Sequence, residues 1–106
     1  PVTVRHSGVA GKDIVYVNLE NEIQVSVHLF KDISSTFQIT VFGENGWKLI
    51  DIRNSYAMFR DNLIEFIRSV EEGSSRLAFK KTINIIDTLI SAQDSLQQNG
   101  KLIKLV

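Results

Sequence analysis

Cysteine is absent from this chain, and it holds one proline, Pro1, and one methionine, Met58. The lack of cysteine removes disulfide frameworks, thiolate metal sites and thiol nucleophiles together. It agrees with a reducing cytoplasm, which is the expected location. No apolar run approaches the roughly 20 residues that a membrane-spanning helix needs, and no signal segment is visible at the start, so a membrane is not an expected partner. An excess of charge of one sign is also lacking: 12 basic and 12 acidic residues give a formal net charge of zero. Basic residues gather only in short pairs such as Lys80-Lys81. Phosphate contacts dominate nucleic-acid affinity and call for a basic excess or stripe, so nucleic acid is not an expected partner either. The opening Pro1-Val2-Thr3-Val4 has no initiator methionine and reads like the middle of a longer protein.

What is present is ordinary for a globular domain. The 106 residues are one domain's worth, residues 1–106, and a chain of this size buries roughly 65% of the surface its unfolded form exposes. Apolar residues at 43% and charged residues at 23% fit a folded state and not a disordered one.

The first half carries a period of two. Val2-Thr3-Val4 is short and β-prone, and Ser7-Gly8 to Gly11 reads as a loop. A strand follows over Ile14 to Leu19, and Asn21-Glu22 makes a turn without the glycine that would mark a tight hairpin. From Ile23 to Phe30 the residues alternate, with Ile23, Val25, Val27 and Leu29 on one face and Gln24, Ser26 and His28 on the other. Thr36 to Phe42 repeats the pattern, with Phe37, Ile39 and Val41 expected inward and Thr36, Gln38 and Thr40 outward. Gly43-Glu44-Asn45-Gly46 is a turn, and Trp47 to Ile52 is a further strand. Strands in succession with short connections imply an antiparallel meander.

The second half switches to a helical period. Ser55 is the expected N-cap, and Phe59, Leu63, Phe66, Ile67 and Val70 form an apolar stripe closed by Gly73 at the C′ position. A second helix is expected over Phe79 to Gln98, with Ile83, Ile86, Leu89, Ile90 and Leu96 as its packing stripe and Asn99-Gly100 as its end. Lys101 to Val106 reads as a short strand returning to the sheet. The fold class is therefore α+β: a mostly antiparallel sheet of about four to six strands with two helices on one face.

Sites of chemistry are sparse. His6 and His28 stand alone, without a second ligand at helical spacing, and no nucleophile elbow occurs. Asp13, Asp51, Asp61 and Glu65 are acid–base candidates only as any carboxylate is. Glu65 and Arg68 form an ordinary helix-surface pair. The Gly43–Gly46 turn joins two strands and does not lead into a helix, so it is no dinucleotide cradle, and neither a catalytic nor a metal nor a cofactor-binding residue is expected in this chain. Two features remain. A sheet with helices on one side must leave its other face wet or cover it with a partner. The low charge of Gln24, Ser26, His28, Thr36, Gln38 and Thr40 suits an oligomer interface. Tyr56, near the start of the first helix, is a weaker candidate for a substrate-adjacent position.

The run Ser55-Tyr56-Ala57-Met58-Phe59-Arg60-Asp61-Asn62-Leu63-Ile64-Glu65-Phe66-Ile67-Arg68-Ser69-Val70-Glu71-Glu72-Gly73 resembles the long helix that ends the substrate domain of the Gfo/Idh/MocA oxidoreductases. Thr82, Ile83, Ile85, Ile86, Ile90, Ala92, Ser95 and Leu96, the closing segment Asn99-Gly100-Lys101-Leu102-Ile103-Lys104-Leu105, and the strands from Val15 to Phe42 with Gly43-x-x-Gly46 extend the likeness over the whole chain. It implies a parent enzyme that transfers hydride between NAD or NADP and a sugar, inositol or related polyol. In such a parent this chain would wall the substrate pocket and join subunits as homodimers or tetramers. The nucleotide-binding Rossmann domain and the Glu-Lys-Pro segment are expected ahead of Pro1, so no catalytic residue carries over to a position here. Two readings of other classes stand beside it: a standalone α+β dimerisation module, and a small ligand-binding domain.

Overall fold

The computed structural model of the chain describes residues 1–105; Val106, the expected end of the last strand, lies outside them. The elements are β1 (Thr3–Val9), β2 (Lys12–Asn18), a 3-10 turn (Glu20–Glu22), β3 (Gln24–Phe30), β4 (Gln38–Gly43), β5 (Gly46–Asp51), α1 (Ser55–Glu72), α2 (Phe79–Gln97) and β6 (Ile103–Lys104). The fold is α+β, with an antiparallel sheet in the order β3-β2-β1-β6 and a separate two-stranded sheet, β4-β5. Two compact units result. The first joins Pro1–Ile33 to the segment from Leu77 onward, and the second is Ser34–Arg76.

The first unit is a three-stranded meander closed by β6 and capped by α2. Ser7 and Gly8 stand inside β1, not in a loop as expected, and the turn falls at Ala10-Gly11. Positive φ at Gly11 (88°) alone within that loop is what a type II turn demands of its second central residue. The register pairs Val4 with Val17 and His6 with Val15, then Val17 with Val25 and Val15 with Val27. Directly opposed residues share a face, so these side chains form one face of the sheet. On it Val4, Val15 and Val17 are buried, with Leu19, Ala92 and Leu105 packed around them. β6 completes the layer by pairing Ile103 with Val4, so the expected return of the chain end to the sheet is found.

The helix that covers this face is turned from its expected orientation. The residues α2 buries are Ser91 and Ser95, with Thr88 and Ala92 half-buried. The expected stripe of Ile83, Ile86, Leu89 and Ile90 is exposed, and only Leu96 is half-buried. At 100° per residue, Ile83, Ile86 and Ile90 lie on the side of the helix away from Ser91 and Ser95. Small side chains let the helix approach β1 closely, and a buried hydroxyl supplies hydrogen bonds that isoleucine could not. Apolar periodicity thus marked a stripe that seeks cover, but not the side that this sheet covers.

The second unit is a hairpin and a helix. β4 and β5 pair Ile39 with Ile50, Thr40 with Leu49 and Phe42 with Trp47, and an Ile52 to Phe37 backbone bond of 2.8 Å extends the ladder. These strands were expected to continue the larger sheet; they form their own. The Gly43–Gly46 turn is a hairpin connection, as read from the sequence. α1 starts at Asn54, whose side chain accepts from the Ala57 amide, and not at the expected Ser55; it ends at Gly73 with φ 72°, the left-handed C-terminal cap the sequence indicated. Glu71 and Glu72 near that end oppose the helix dipole; Arg76 pairs with Glu72 and, further back along the helix, with Glu65.

Candidate functional site

The densest polar arrangement lies where β1, the first hairpin and the end of α2 meet. His6 follows from the alternation of β1, which turns it inward beside Val4, and it is 4% exposed. Its ring Nε2 stands 2.6 Å from Asp13 Oδ1. An ionised carboxylate only accepts, so Nε2 is the donor. The Gly11 amide donates to the other carboxylate oxygen at 3.0 Å. The hydrogen bond from His6 holds the Asp13 carboxyl below its ordinary value, and the Gly11 amide adds to this against the opposing pull of burial. The His6 amide donates to Ser95 Oγ at 2.9 Å, and Ser95 Oγ donates to the Lys101 carbonyl at 2.6 Å. Ser95 is 0% exposed.

Serine, histidine and aspartate are therefore neighbours here, yet they are not wired as a nucleophilic triad. Such a triad needs the imidazole to take the serine proton. Here the serine hydroxyl proton goes to a backbone carbonyl, and the serine contacts the histidine main chain, not its ring. The network fastens β1, the Ala10-Gly11 turn, α2 and the residues leading to β6 to one another. Arg5 adds to it from the neighbouring position, donating from Nε to the Gly100 carbonyl at 3.0 Å. Among the described residues no buried side-chain polar atom lacks a partner. Sequence reasoning weighed His6 only as an isolated metal ligand and gave Ser95 no site role, because only the register of β1 against β2 brings Asp13 beside His6.

The remaining acid–base candidates pair locally and on the surface. Asp51 meets Arg53, Asp61 meets Arg60, and Glu65 meets Arg68 and Arg76. No group of three or more histidine, aspartate or glutamate residues among those described could hold a metal ion. No helix among them is long and apolar enough to cross a membrane.

The expected interface residues divide. Gln24, Ser26 and His28 share the face of the larger sheet opposite α2, set against Asn18, Tyr16 and Ile14 by register. His28 meets Phe30 edge-on, their ring centroids 5.8 Å apart at 77°. A concavity of about 480 Å³ on this face is lined by Arg5, Tyr16, Asn18 and Gln24 among others. Gln38 and Thr40 belong to β4 in the other unit, and Thr36 precedes that strand. The six do not form one face, because the meander that would have joined them breaks after β3. Tyr56 is exposed at the start of α1.

The second unit exposes apolar side chains of its own. Phe42 and Trp47, opposite one another in the hairpin, are 81% and 70% exposed. Ile39, Val41 and Ile50 on its reverse are exposed as well, so both faces of the strand pair are apolar and uncovered. The expected stripe of α1, from Phe59 to Val70, is equally exposed, with Phe66 at 65%.

No protein-family model, no curated protein and no solved structure matches this chain.

Proposed function

We propose that this chain is a non-catalytic α+β assembly module that joins copies of itself, in a cytoplasmic setting that its lack of cysteine supports. The observation that carries this reading is the state of Ser34–Arg76: among the described residues none in that unit is buried. A lone hairpin is marginal in water and gains stability only when its faces are covered. Sedimentation equilibrium tests the reading. A mass at a multiple of the chain mass at micromolar concentration supports it, and a monomer at every concentration overturns it.

The narrower reading is that the assembly belongs to a sugar, inositol or polyol oxidoreductase using NAD or NADP, with this chain as the distal part of its substrate domain. It rests on the resemblance of Ser55–Gly73 and on the order of two helices followed by a strand that returns to the sheet. Its test is the coding sequence ahead of Pro1, where a glycine-rich strand-turn-helix and a Glu-Lys-Pro segment are expected. An upstream region without them sinks this reading and leaves the assembly module standing.

A further inference from the structure

The outer edge of the four-stranded sheet is chemically unlike a protected edge. β3 ends the sheet order, so one of its sides meets β2 and the other meets no strand of that sheet. Alternation of the ladder decides which backbone groups are free. Leu19 N–H donates to the Ile23 carbonyl at 2.8 Å and Lys31 N–H to the Gly11 carbonyl at 2.9 Å. Both pairs keep the β2–β3 register, so Val25, Val27 and Leu29 spend their amides and carbonyls on β2. The amides and carbonyls of Gln24, Ser26, His28 and Phe30 point outward.

Natural edge strands guard such a row with lysine, proline, a bulge or brevity. β3 has seven residues, Gln-Val-Ser-Val-His-Leu-Phe, with no lysine, no proline and no formally charged residue. Its register to β2 is unbroken over the whole strand, so it carries no bulge. Its α2-side residues Val25, Val27 and Leu29 continue the face of the valine core and remain exposed. Both the backbone and the side chains of this edge thus call for one more strand.

We infer that β3 pairs antiparallel with β3 of a second copy about a two-fold axis at Val27, making one continuous eight-stranded sheet. This rests on the self-association reading and adds to it a contact in the first unit, separate from the cover that Ser34–Arg76 calls for. The register follows from the free groups: Gln24 meets Phe30 of the second copy and Ser26 meets its His28, exchanging about eight backbone hydrogen bonds. On the helix side Val27 meets its own counterpart and Val25 meets Leu29, which covers the exposed apolar row. Because β3 has no Asp, Glu, Lys or Arg, a second copy brings no like charge opposite.

Amide hydrogen exchange on the full chain reads this directly. In the associated state Gln24, Ser26, His28 and Phe30 are expected to be protected as strongly as Val25, Val27 and Leu29, and to lose that protection on dilution to monomer. Ser26→Pro removes one outward N–H and leaves the β2 ladder intact, as an edge position permits. It is expected to weaken dimerisation at least tenfold in sedimentation equilibrium. A wild-type dimer whose outward amides exchange freely, or whose association Ser26→Pro leaves unchanged, overturns the edge pairing while sparing self-association. Outward amides protected in a monomer place a strand of the same chain there and overturn it too. A wild type monomeric at every concentration defeats both readings.

Discussion

The two units of this chain draw on similar residues and reach opposite states. In the first, Val4 is fully buried, valines from two strands meet beneath a helix, and the buried polar groups are bonded in sequence from Asp13 through His6 and Ser95 to Lys101. In the second, a hairpin with Phe42 and Trp47 on one face and Ile39 and Ile50 on the other has no side chain buried among the described residues. Both have sound local signals. α1 has a side-chain N-cap and a left-handed glycine cap, while α2 begins at Ala78 with no side-chain cap at all. The better-capped helix is the uncovered one. Caps and turns fix where an element begins and ends, and burial is decided by long-range polar bonds and close approach, which the first unit has and the second lacks.

That contrast yields graded expectations for stability, measured by denaturant unfolding. The largest loss falls at Gly8, where an added Cβ would stand 2.3 Å from the Lys12 carbonyl oxygen at a φ of 93°. Gly8→Ala is expected to cost about 3 kcal/mol or more, since neither backbone segment can move aside cheaply. Ser95→Ala comes next, at about 1–3 kcal/mol, because it strands the buried His6 amide and the Lys101 carbonyl. A cost near zero would show that the network does not anchor α2.

Asp13→Asn replaces a carboxylate oxygen facing the Gly11 amide with a possible second donor, and lowers stability at neutral pH. The pH dependence has a definite sign. Asp13 is held below its ordinary value of 3.8, so its contribution is present above that pH and disappears as pH falls through the lowered folded value. The gap between wild type and Asp13→Asn should therefore narrow in acid, and a gap that widened there would contradict the assignment. Glu22 holds a φ of 61°, which favours glycine, so Glu22→Gly should stabilise by about 1 kcal/mol. The smallest effect is expected in the second unit. Phe66→Ala in the dissociated chain should change stability by under about 0.5 kcal/mol, as at any exposed site. A loss of several kcal/mol would erase the distinction between the units.

Much of the architecture was legible from the residues. The switch from a period of two to a period near 3.6 after Ile52 located β2 to β5 and both helices, though not the run of β1 through Ser7 and Gly8, and the glycines at 43, 46, 73 and 100 marked real turns and ends. What escaped was long-range. Nothing local distinguishes β4 as the start of a new sheet from β4 as the fourth strand of a meander, so Gln38 and Thr40 were grouped with Gln24, Ser26 and His28. The wheel of α2 favoured isoleucines over serines because periodicity weighs hydrophobicity and not the hydrogen bonds a buried amide needs. His6 and Asp13, seven residues apart, become partners only through the hairpin register. The unprotected edge of β3, by contrast, could be seen in its composition once its place at the end of the sheet was known.

The claim on which all of this turns is that Ser34–Arg76 owes its stability to association and the first unit does not. Hydrogen exchange followed by mass spectrometry across a dilution series tests it most directly. Protection over Phe59–Val70 should fall as the chain dissociates, while the strands holding Val4, His6, Val15 and Val17 stay protected throughout. If α1 remains as protected as Val4 and Val17 in the most dilute monomer, the second unit is self-sufficient and the account is wrong.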